Sequence, residues 1–473
     1  MSRINTNTSS LTAQIRLNRT NSDLQTSLTR LSTGLRINTG KDDPAGLIAS
    51  EALRSDITSI NKALSNTNRA TQIISTADSA LGQVSSLLND VRGLITEAAN
   101  KGALSDAEIA ANQLQIDSSL EAINRIAQTT TFQGRKLLDG SLDFQTTAVN
   151  NMVLSKDLQI YSANLGATGS VSASINLIAA ATQASKTIAV TNPLAADVVF
   201  QLSGNNGSEV FKFQTGATGT SMRDAINLLS DSTGITAAIA GSNLVLTSSN
   251  YGSDQFVAIE VISEGAGGGF TTAASTTPTR VVGTDVSATV NGTTAMGKGN
   301  TLSINNPTIS LQMTVAAGIG PGTNIAFNIT GGGAQFQLGP DVVSNQQARL
   351  GIGSLNTAKL GGVAGRLYQI ASDGNASLTK DVTKAASIVD EVISKVATLR
   401  GRLGAFQRTA LESNTVSLND TLTNLTEAES TIRDADFAKE SAALTRAQIL
   451  VQSGTSVLGI ANQSSQSVLS LLR

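Results

Sequence analysis

Residues 60–98, INKALSNTNRATQIISTADSALGQVSSLLNDVRGLITEA, decide the fold of this chain, because small or apolar residues recur through them at alternating steps of three and four. The repeating positions are Ile60, Ala63, Thr67, Ala70, Ile74, Ala77, Leu81, Val84, Leu88, Val91, Ile95 and Ala98. A 3.5-residue repeat of this length predicts a helix with one continuous buried stripe. At 1.5 Å per residue the helix is roughly 60 Å long, so its partners must also be long helices.

The same spacing returns after Asp381, and this second stripe is the predicted partner. Its positions are Val382, Ala385, Val389, Val392, Val396, Leu399, Leu403, Phe406 and Ala410. We expect the two stripes to cover each other within one chain, as in a helical bundle. The side chains that we predict to pack this stalk are Ile60, Ile74, Leu81, Val84, Leu88, Val91, Ile95, Val389, Val392, Val396, Leu399, Leu403 and Phe406.

Local signals place the ends of further helices. Leucines at heptad spacing predict an amphipathic helix over residues 10–35. The segment Lys41-Asp42-Asp43-Pro44 predicts a new helix, with an Asp as N-cap and Pro in the first turn. After a break at residues 100–102, Ser105 is the expected N-cap of a returning helix, with Glu108 at the capping-box position. The last segment, residues 437–473, is again amphipathic.

Residues 141–334 differ in character from both ends, because Gly, Thr, Ser, Asn and β-branched residues dominate and charged residues are few. This composition predicts a β-rich insert. The expected strands are Val198 to Leu202, Val210 to Phe213, Ile235 to Ala240, Asn243 to Thr247 and Phe256 to Ile262. One helix is expected among them, opened by Ser221 and burying Met222, Ile226 and Leu229. Asn291-Gly292 predicts a hairpin with a type I′ turn.

Composition excludes most enzyme chemistry. The chain has 473 residues, a formal charge of −2 and neither Cys nor His, which removes the usual nucleophile and base pairs and most zinc sites. We therefore expect no catalytic, cofactor-binding or metal site, and no cofactor. No basic patch indicates nucleic acid and no segment is suited to membrane insertion, so we expect neither partner; we also expect export without a cleaved signal peptide, because no apolar run follows the amino terminus.

Six segments near the two ends of the chain form a recognisable set of motifs: LSTGLRIN at residues 31–38, KDDPAG at 41–46, FQGRKLLDG at 132–140, RAQILVQSGTSVL at 446–458, ANQ at 461–463 and SVLSLLR at 467–473. With these segments the two ends of the chain resemble bacterial flagellin, the subunit of the flagellar filament. In the middle, residues 283–299 resemble an insert module of some flagellins and hook-associated proteins. Residues 336–340 with 352–353 resemble a hairpin that packs on the stalk.

The resemblance implies a mainly α helical-bundle or coiled-coil stalk, built from both termini, with an inserted β-rich (α+β) outer region. It implies a terminal inner-tube domain of residues 1–42 and 435–473. A helical stalk domain with a β-hairpin would comprise residues 43–140 and 335–434, and the outer insert residues 141–334. The terminal segments of flagellins are disordered in the free subunit and pair on assembly, which is folding coupled to binding. The terminal assembly residues would be Leu24, Leu28, Leu31, Leu35, Ile449, Leu450, Val457, Leu458, Val468, Leu469, Leu471 and Leu472.

The implied function is structural: a self-assembling subunit of the extracellular filament for swimming motility. The implied partners are further copies of the chain, the filament cap and hook-junction proteins, an export chaperone at the C-terminal segment, and O-linked glycans. Two alternatives stay open at this point. One is a hook–filament junction protein with similar termini, and the other is an adhesin with a coiled-coil stalk.

One recognition surface follows from the same resemblance. Flagellins that are sensed by a Toll-like innate receptor carry an Arg, then Val-Arg and a Leu on this helical segment, and a Glu on the returning helix. Here Arg92 and Leu94 match, but Asp90 stands at the first Arg position and Gln115 at the expected Glu position. Replacing a cation by an anion at a charge-complementary rim lowers affinity, so we expect weak receptor activation.

Overall fold

The computed structural model describes residues 6–166, 168–270, 274 and 280–470, and it describes the side chains only as far as residue 463 in the last helix. The described chain divides into two compact units. The first comprises Met1–Arg69, Gln337–Val342 and Arg408–Arg473. The second comprises Ala70–Phe336 and Val343–Gln407.

The long helices come from both ends of the chain, as predicted, and two short ones lie within the insert. They are α1 Thr8–Thr33, α2 Pro44–Ala98, α3 Asp106–Thr129, α4 Gly219–Leu228, α5 Ser230–Thr233, α6 Val382–Phe406, α7 Ser413–Arg433 and α8 Phe437–Ser470. A π-helical turn, Gln407–Glu412, separates α6 from α7, and short 3₁₀ helices span Met152–Leu154, Ser344–Gln346 and Leu367–Ile370.

The middle of the chain is built from strands. They are β1 Thr131–Phe132, β2 Arg135–Lys136, β3 Phe144–Asn150, β4 Ser155–Ala163, β5 Val171–Ala179, β6 Gln183–Ala189, β7 Val198–Ser203, β8 Ser208–Phe213, β9 Ile235–Ala240, β10 Asn243–Tyr251, β11 Phe256–Glu264, β12 Arg280–Val282, β13 Ser287–Val290, β14 Thr293–Thr294, β15 Met296–Lys298, β16 Thr301–Asn305, β17 Ile309–Val315, β18 Asn324–Gly332, β19 Ala334–Gln337 and β20 Gln347–Leu350. The predicted class, a helical part from both termini with a β-rich insert, is confirmed.

The strands form antiparallel sheets around two apolar cores. The strand orders β14-β13-β5-β18-β3 and β15-β16-β17-β4 belong to one core, in which Phe327 is fully buried. The orders β6-β10-β9 and β12-β11-β7-β8 belong to a second core around Phe200, which also receives Met222 and Ile226 of α4. Two-stranded hairpins β1-β2 and β19-β20 complete the described sheets. The insert therefore consists of two β modules.

Capping residues begin three of the helices, the first two of them where the sequence predicted. The Asp43 carboxylate accepts the Gly46 N–H at 2.9 Å, at the start of α2. Ser105 and Glu108 form a complete capping box on α3. Asp381 accepts the Lys384 N–H at 2.9 Å at the start of α6. Each side chain satisfies a backbone donor that has no partner inside its helix.

Helix α4 differs from the prediction at both ends. Its N-cap is Thr218, whose hydroxyl accepts the Ser221 N–H at 3.2 Å, so Ser221 lies inside the first turn and does not open the helix. Leu229 follows the last helical residue and is exposed. The hairpin at Asn291-Gly292 is confirmed, since both residues adopt positive φ between β13 and β14.

Candidate functional site

The apolar stripe of α2 is buried, in two separate environments. In the first unit, Ile60 and Ala63 pack with Leu418 of α7. In the second unit the predicted α2 and α6 side chains have almost no exposed surface: Ile74, Leu81, Val84, Leu88, Val91, Ile95, Val389, Val392, Val396 and Leu403. Leu399 and Phe406 are only half-buried. These residues form cores and leave no chemical group available for catalysis.

The terminal helices α1 and α8 pack against each other in the first unit, and their contacts run in opposite chain directions. The Asn7 side chain donates to the Ala461 carbonyl at 2.9 Å, near the start of α1 and late in α8. A Cβ at Gly454 would lie only 3.2 Å from Leu17 Cδ1, so Gly allows a close approach. Arg30 and Glu440 form an ion pair of 3.5 Å at the other end. The pair is an antiparallel two-helix arrangement.

Each terminal helix uses only one face in this pairing. On α8, Ala447 is buried, while Ile449, Leu450, Val457 and Ile460 are each more than half exposed. Among the predicted residues of α1, Leu28 is exposed and Leu24 and Leu31 are partly buried, as is Leu35 just beyond the end of the helix. Leu458 is partly buried as well. The side chains of Val468 and Leu469 are not described, and Leu471 and Leu472 lie outside the described residues.

Four exposed apolar residues of the same helices were absent from our prediction. They are Leu11, Ile15, Phe437 and Ile460. Ile460 lies three residues after Val457, so helical spacing from the predicted stripe could have found it. Leu11 and Ile15 are four residues apart and share one face by the same rule. The first unit therefore presents more uncovered apolar surface than the sequence prediction contained.

A short backbone bridge joins the two ends of the chain beside these helices. Leu35 pairs with Asp434 as an antiparallel bridge. The Arg36 N–H donates to the Arg433 carbonyl at 2.7 Å, and the Ala435 N–H donates to the Gly34 carbonyl at 2.9 Å. The end of α1 and the start of α8 are therefore held together by backbone hydrogen bonds.

Two carboxylates of the first unit accept backbone N–H groups. Asp436 accepts the N–H groups of Ala438 and Lys439 at 2.9 and 3.1 Å, at the start of α8. Asp42 accepts both the backbone N–H and the hydroxyl of Thr39. These hydrogen bonds, the Thr39 N–H foremost, lower the pKa of the Asp42 carboxyl. Asp436 thus caps α8, whereas Asp42 closes the turn that precedes α2.

The residues of the expected receptor surface belong to α2 and α3 in the second unit. Asp90 and Gln115 are exposed, and Leu94 is partly buried. Arg92 donates through Nε to Asp390 of α6 at 2.6 Å and through a terminal nitrogen to the Thr96 hydroxyl at 3.0 Å. The one cation of this surface is therefore already paired within the chain.

Among residues 6–166, 168–270, 274 and 280–470, no three His, Cys, Asp or Glu side chains come together as a metal site would require. In the same residues no helix combines the length and apolar character needed to cross a membrane.

Comparisons with known proteins agree with this architecture. The N-terminal helical region of bacterial flagellin matches residues 4–143, and its C-terminal helical region matches residues 386–472. The flagellin hook IN motif matches residues 199–250, which is a different part of the insert from residues 283–299, where we had expected such a module.

Complete curated proteins align along the whole chain. The B-type flagellin of Pseudomonas aeruginosa is 32% identical over 99% of both chains. The flagellin of Salmonella typhimurium is 30% identical, again over 99% of both. A solved structure of the flagellar cap protein from Escherichia coli covers 45% of this chain and 64% of that one at 15% identity, with a TM-score of 0.27 that is too low to support an argument. From the matched terminal regions and the full-length relatives, the chain belongs to the bacterial flagellin family.

Proposed function

We propose that this flagellin is built into the flagellar filament through its paired terminal helices, α1 and α8. Flagellins are structural proteins, not enzymes, and the chain is a subunit of the extracellular bacterial filament that serves motility. The hook–filament junction alternative is not favoured, because flagellins match 99% of the chain. What the family does not specify is which residues of this chain make the polymer.

The observation that supports the proposal is the apolar face left open on α8 after α1 has covered the other. Ile449, Val457 and Ile460 have exposed fractions of 61, 52 and 67%. Large contiguous apolar surface on a soluble protein is typical of an interaction site. Burying it stabilises an assembly by roughly 25 cal/mol per Å². Neighbouring subunits that cover this face would supply that free energy.

The test uses charge on the open face. The double variant Ile449→Asp and Val457→Asp should fold but assemble poorly, because a carboxylate cannot be buried in an apolar interface without a large desolvation cost. The matched control is Gln448→Asp, which is also exposed on α8 but lies about 100° around the helix axis from Ile449. Seeded polymerisation followed by sedimentation measures the pelleted fraction. Equal pelleting of the double variant and the control would overturn the proposal.

We also propose the domain roles that the resemblance implies. Residues 1–42 and 435–473 would line the inner tube, residues 43–140 and 335–434 would form the helical stalk, and residues 141–334 would face outward. Residues 1–42 and 435–473 contain α1 and α8, with their open apolar face. Residues 141–334 contain both β modules. Limited proteolysis of filaments tests this order, since cleavage should begin within residues 141–334.

Weak activation of the Toll-like receptor is a further proposal. It is supported by the exposed Asp90 carboxylate and by the Arg92–Asp390 ion pair, which a receptor acid would have to displace. In a reporter-cell assay Asp90→Arg should raise potency, and a wild-type response equal to that of a strong agonist flagellin would refute the idea.

The cap, hook-junction and chaperone partners, the O-glycans and the export route stay predictions. An intact mass equal to the sequence mass would exclude the glycans.

A further inference from the structure

The second unit contains a cavity whose charged groups are all cationic. Its volume is about 550 Å³, and it is lined by parts of β4, the loops around Asn305 and Asn345, β20 and the end of α6. Arg349 and Arg402 are its ionisable cations, and none of its lining residues is Asp or Glu. The volume lies in the range of small-molecule sites in proteins.

Arg402 has no counterion. Its guanidinium lies over the ring of Tyr161, is partly buried, and forms no salt bridge with any carboxylate of the described residues. Tyr161 does not neutralise this charge, because its hydroxyl is protonated and burial raises the pKa of that hydroxyl further. Burial likewise lowers the pKa of Arg402. A partly desolvated charge without a counterion is costly.

Arg349 contributes a second cation that is held by neutral groups only. It donates to the Gly332 carbonyl and to the side-chain oxygen of Gln335. These acceptors orient the guanidinium without neutralising its charge. Asn, Ser and Gln side chains of the same cavity supply further hydrogen-bond donors.

A neighbouring cavity of the same unit differs, because its cation has a carboxylate partner within the chain. It measures about 400 Å³ and contains both signs of charge, with Lys395 paired to Asp157 at 2.5 Å. Its lysine is compensated inside the chain. The Arg349 and Arg402 cavity has no such internal partner among the residues described, so its charge remains available to a ligand.

We propose that this cavity binds a small oxyanion, a carboxylate or a phosphate, held by Arg402 and Arg349. Planar guanidinium groups match the two oxygens of such anions and bind them through charge-assisted hydrogen bonds. The oxyanion comes either from a free solute or from an acidic side chain of a second copy of the chain. The second source rests on the proposed filament function, whereas the first does not.

The experiment titrates inorganic phosphate into the full-length free chain and measures heat of binding. Arg402→Gln should weaken phosphate binding by about tenfold or more. The matched control is Arg400→Gln, on the same helix but paired with Asp78 at 3.0 Å and outside the cavity, and it should leave the affinity unchanged. If Arg402→Gln does not fold, Arg402→Lys keeps the charge without the planar fork and should show an intermediate loss.

The same titration on assembled filaments separates the two sources. Binding by both free chain and filament indicates a free solute, whereas binding by the free chain alone indicates that a neighbouring copy fills the cavity. Failure to form filaments would count against the proposed function and would leave the free-chain result intact. No phosphate binding by the free chain, or an equal loss in the Arg400→Gln control, would overturn the oxyanion site.

Discussion

Replacing Leu81 by Ala tests whether the stripe of α2 is the core that the fold depends on. Leu81 has no exposed surface. The change removes three carbon groups, worth roughly 2.4 kcal/mol at about 0.8 kcal/mol each. The cavity left behind adds to this, so the expected loss in the free energy of unfolding is about 3–4 kcal/mol. Urea denaturation followed by tyrosine fluorescence measures it, since the tyrosines at 161, 251 and 368 all lie in the second unit.

Leu114 on α3 provides the control, because the same substitution there removes a side chain that is 66% exposed. Leu114→Ala should change the free energy of unfolding by less than about 0.5 kcal/mol. The reasoning is refuted if Leu81→Ala costs less than about 1 kcal/mol, or no more than Leu114→Ala.

Three further predictions concern single local features. Ser105→Ala removes the N-cap of α3 and should cost about 1 kcal/mol in urea denaturation. Hydrogen bonds lower the pKa of Asp42 in the folded state, so the ionised carboxylate stabilises the fold. This stabilisation is fully present above the unfolded pKa, which is near 4, and it is lost as the pH falls through the lower folded pKa. The helical circular dichroism signal of Asp42→Asn should therefore fall less steeply below about pH 4 than that of the unmodified chain. Gly292 has a φ of +82°, so Gly292→Val should cost about 1–2 kcal/mol, with an unchanged melting temperature as the contradicting result.

Features that depend on a few neighbouring residues could be predicted from the sequence. The capping box of Ser105 and Glu108 is complete within one helical turn, so spacing alone places it. Strand Ile235–Ala240 was predicted to the residue, because alternation and flanking glycines mark it. Local ambiguity explains the error at α4, where Thr218, Thr220 and Ser221 are all capable of capping and the hydroxyl of Thr218 does so.

Features that depend on distant residues could not be predicted. Strand β5 pairs with β13 and β18, more than a hundred residues further along the chain, and no local pattern specifies that pairing. The open face of α8 could not be predicted for the same reason. Its apolar positions were visible in the sequence, but which of them remain exposed depends on the antiparallel register with α1. The cationic cavity likewise combines residues 161, 349 and 402, which are far apart in sequence.

The central claim is that the terminal helices make the polymer, and electron microscopy of seeded assembly tests it most directly. The full chain should grow into long tubes. A chain that ends at Phe437 retains the buried stripe of α2 but lacks the rest of α8 and its exposed apolar residues, so it should form none. Tubes of normal length from the shortened chain would contradict the role that we assign to α1 and α8.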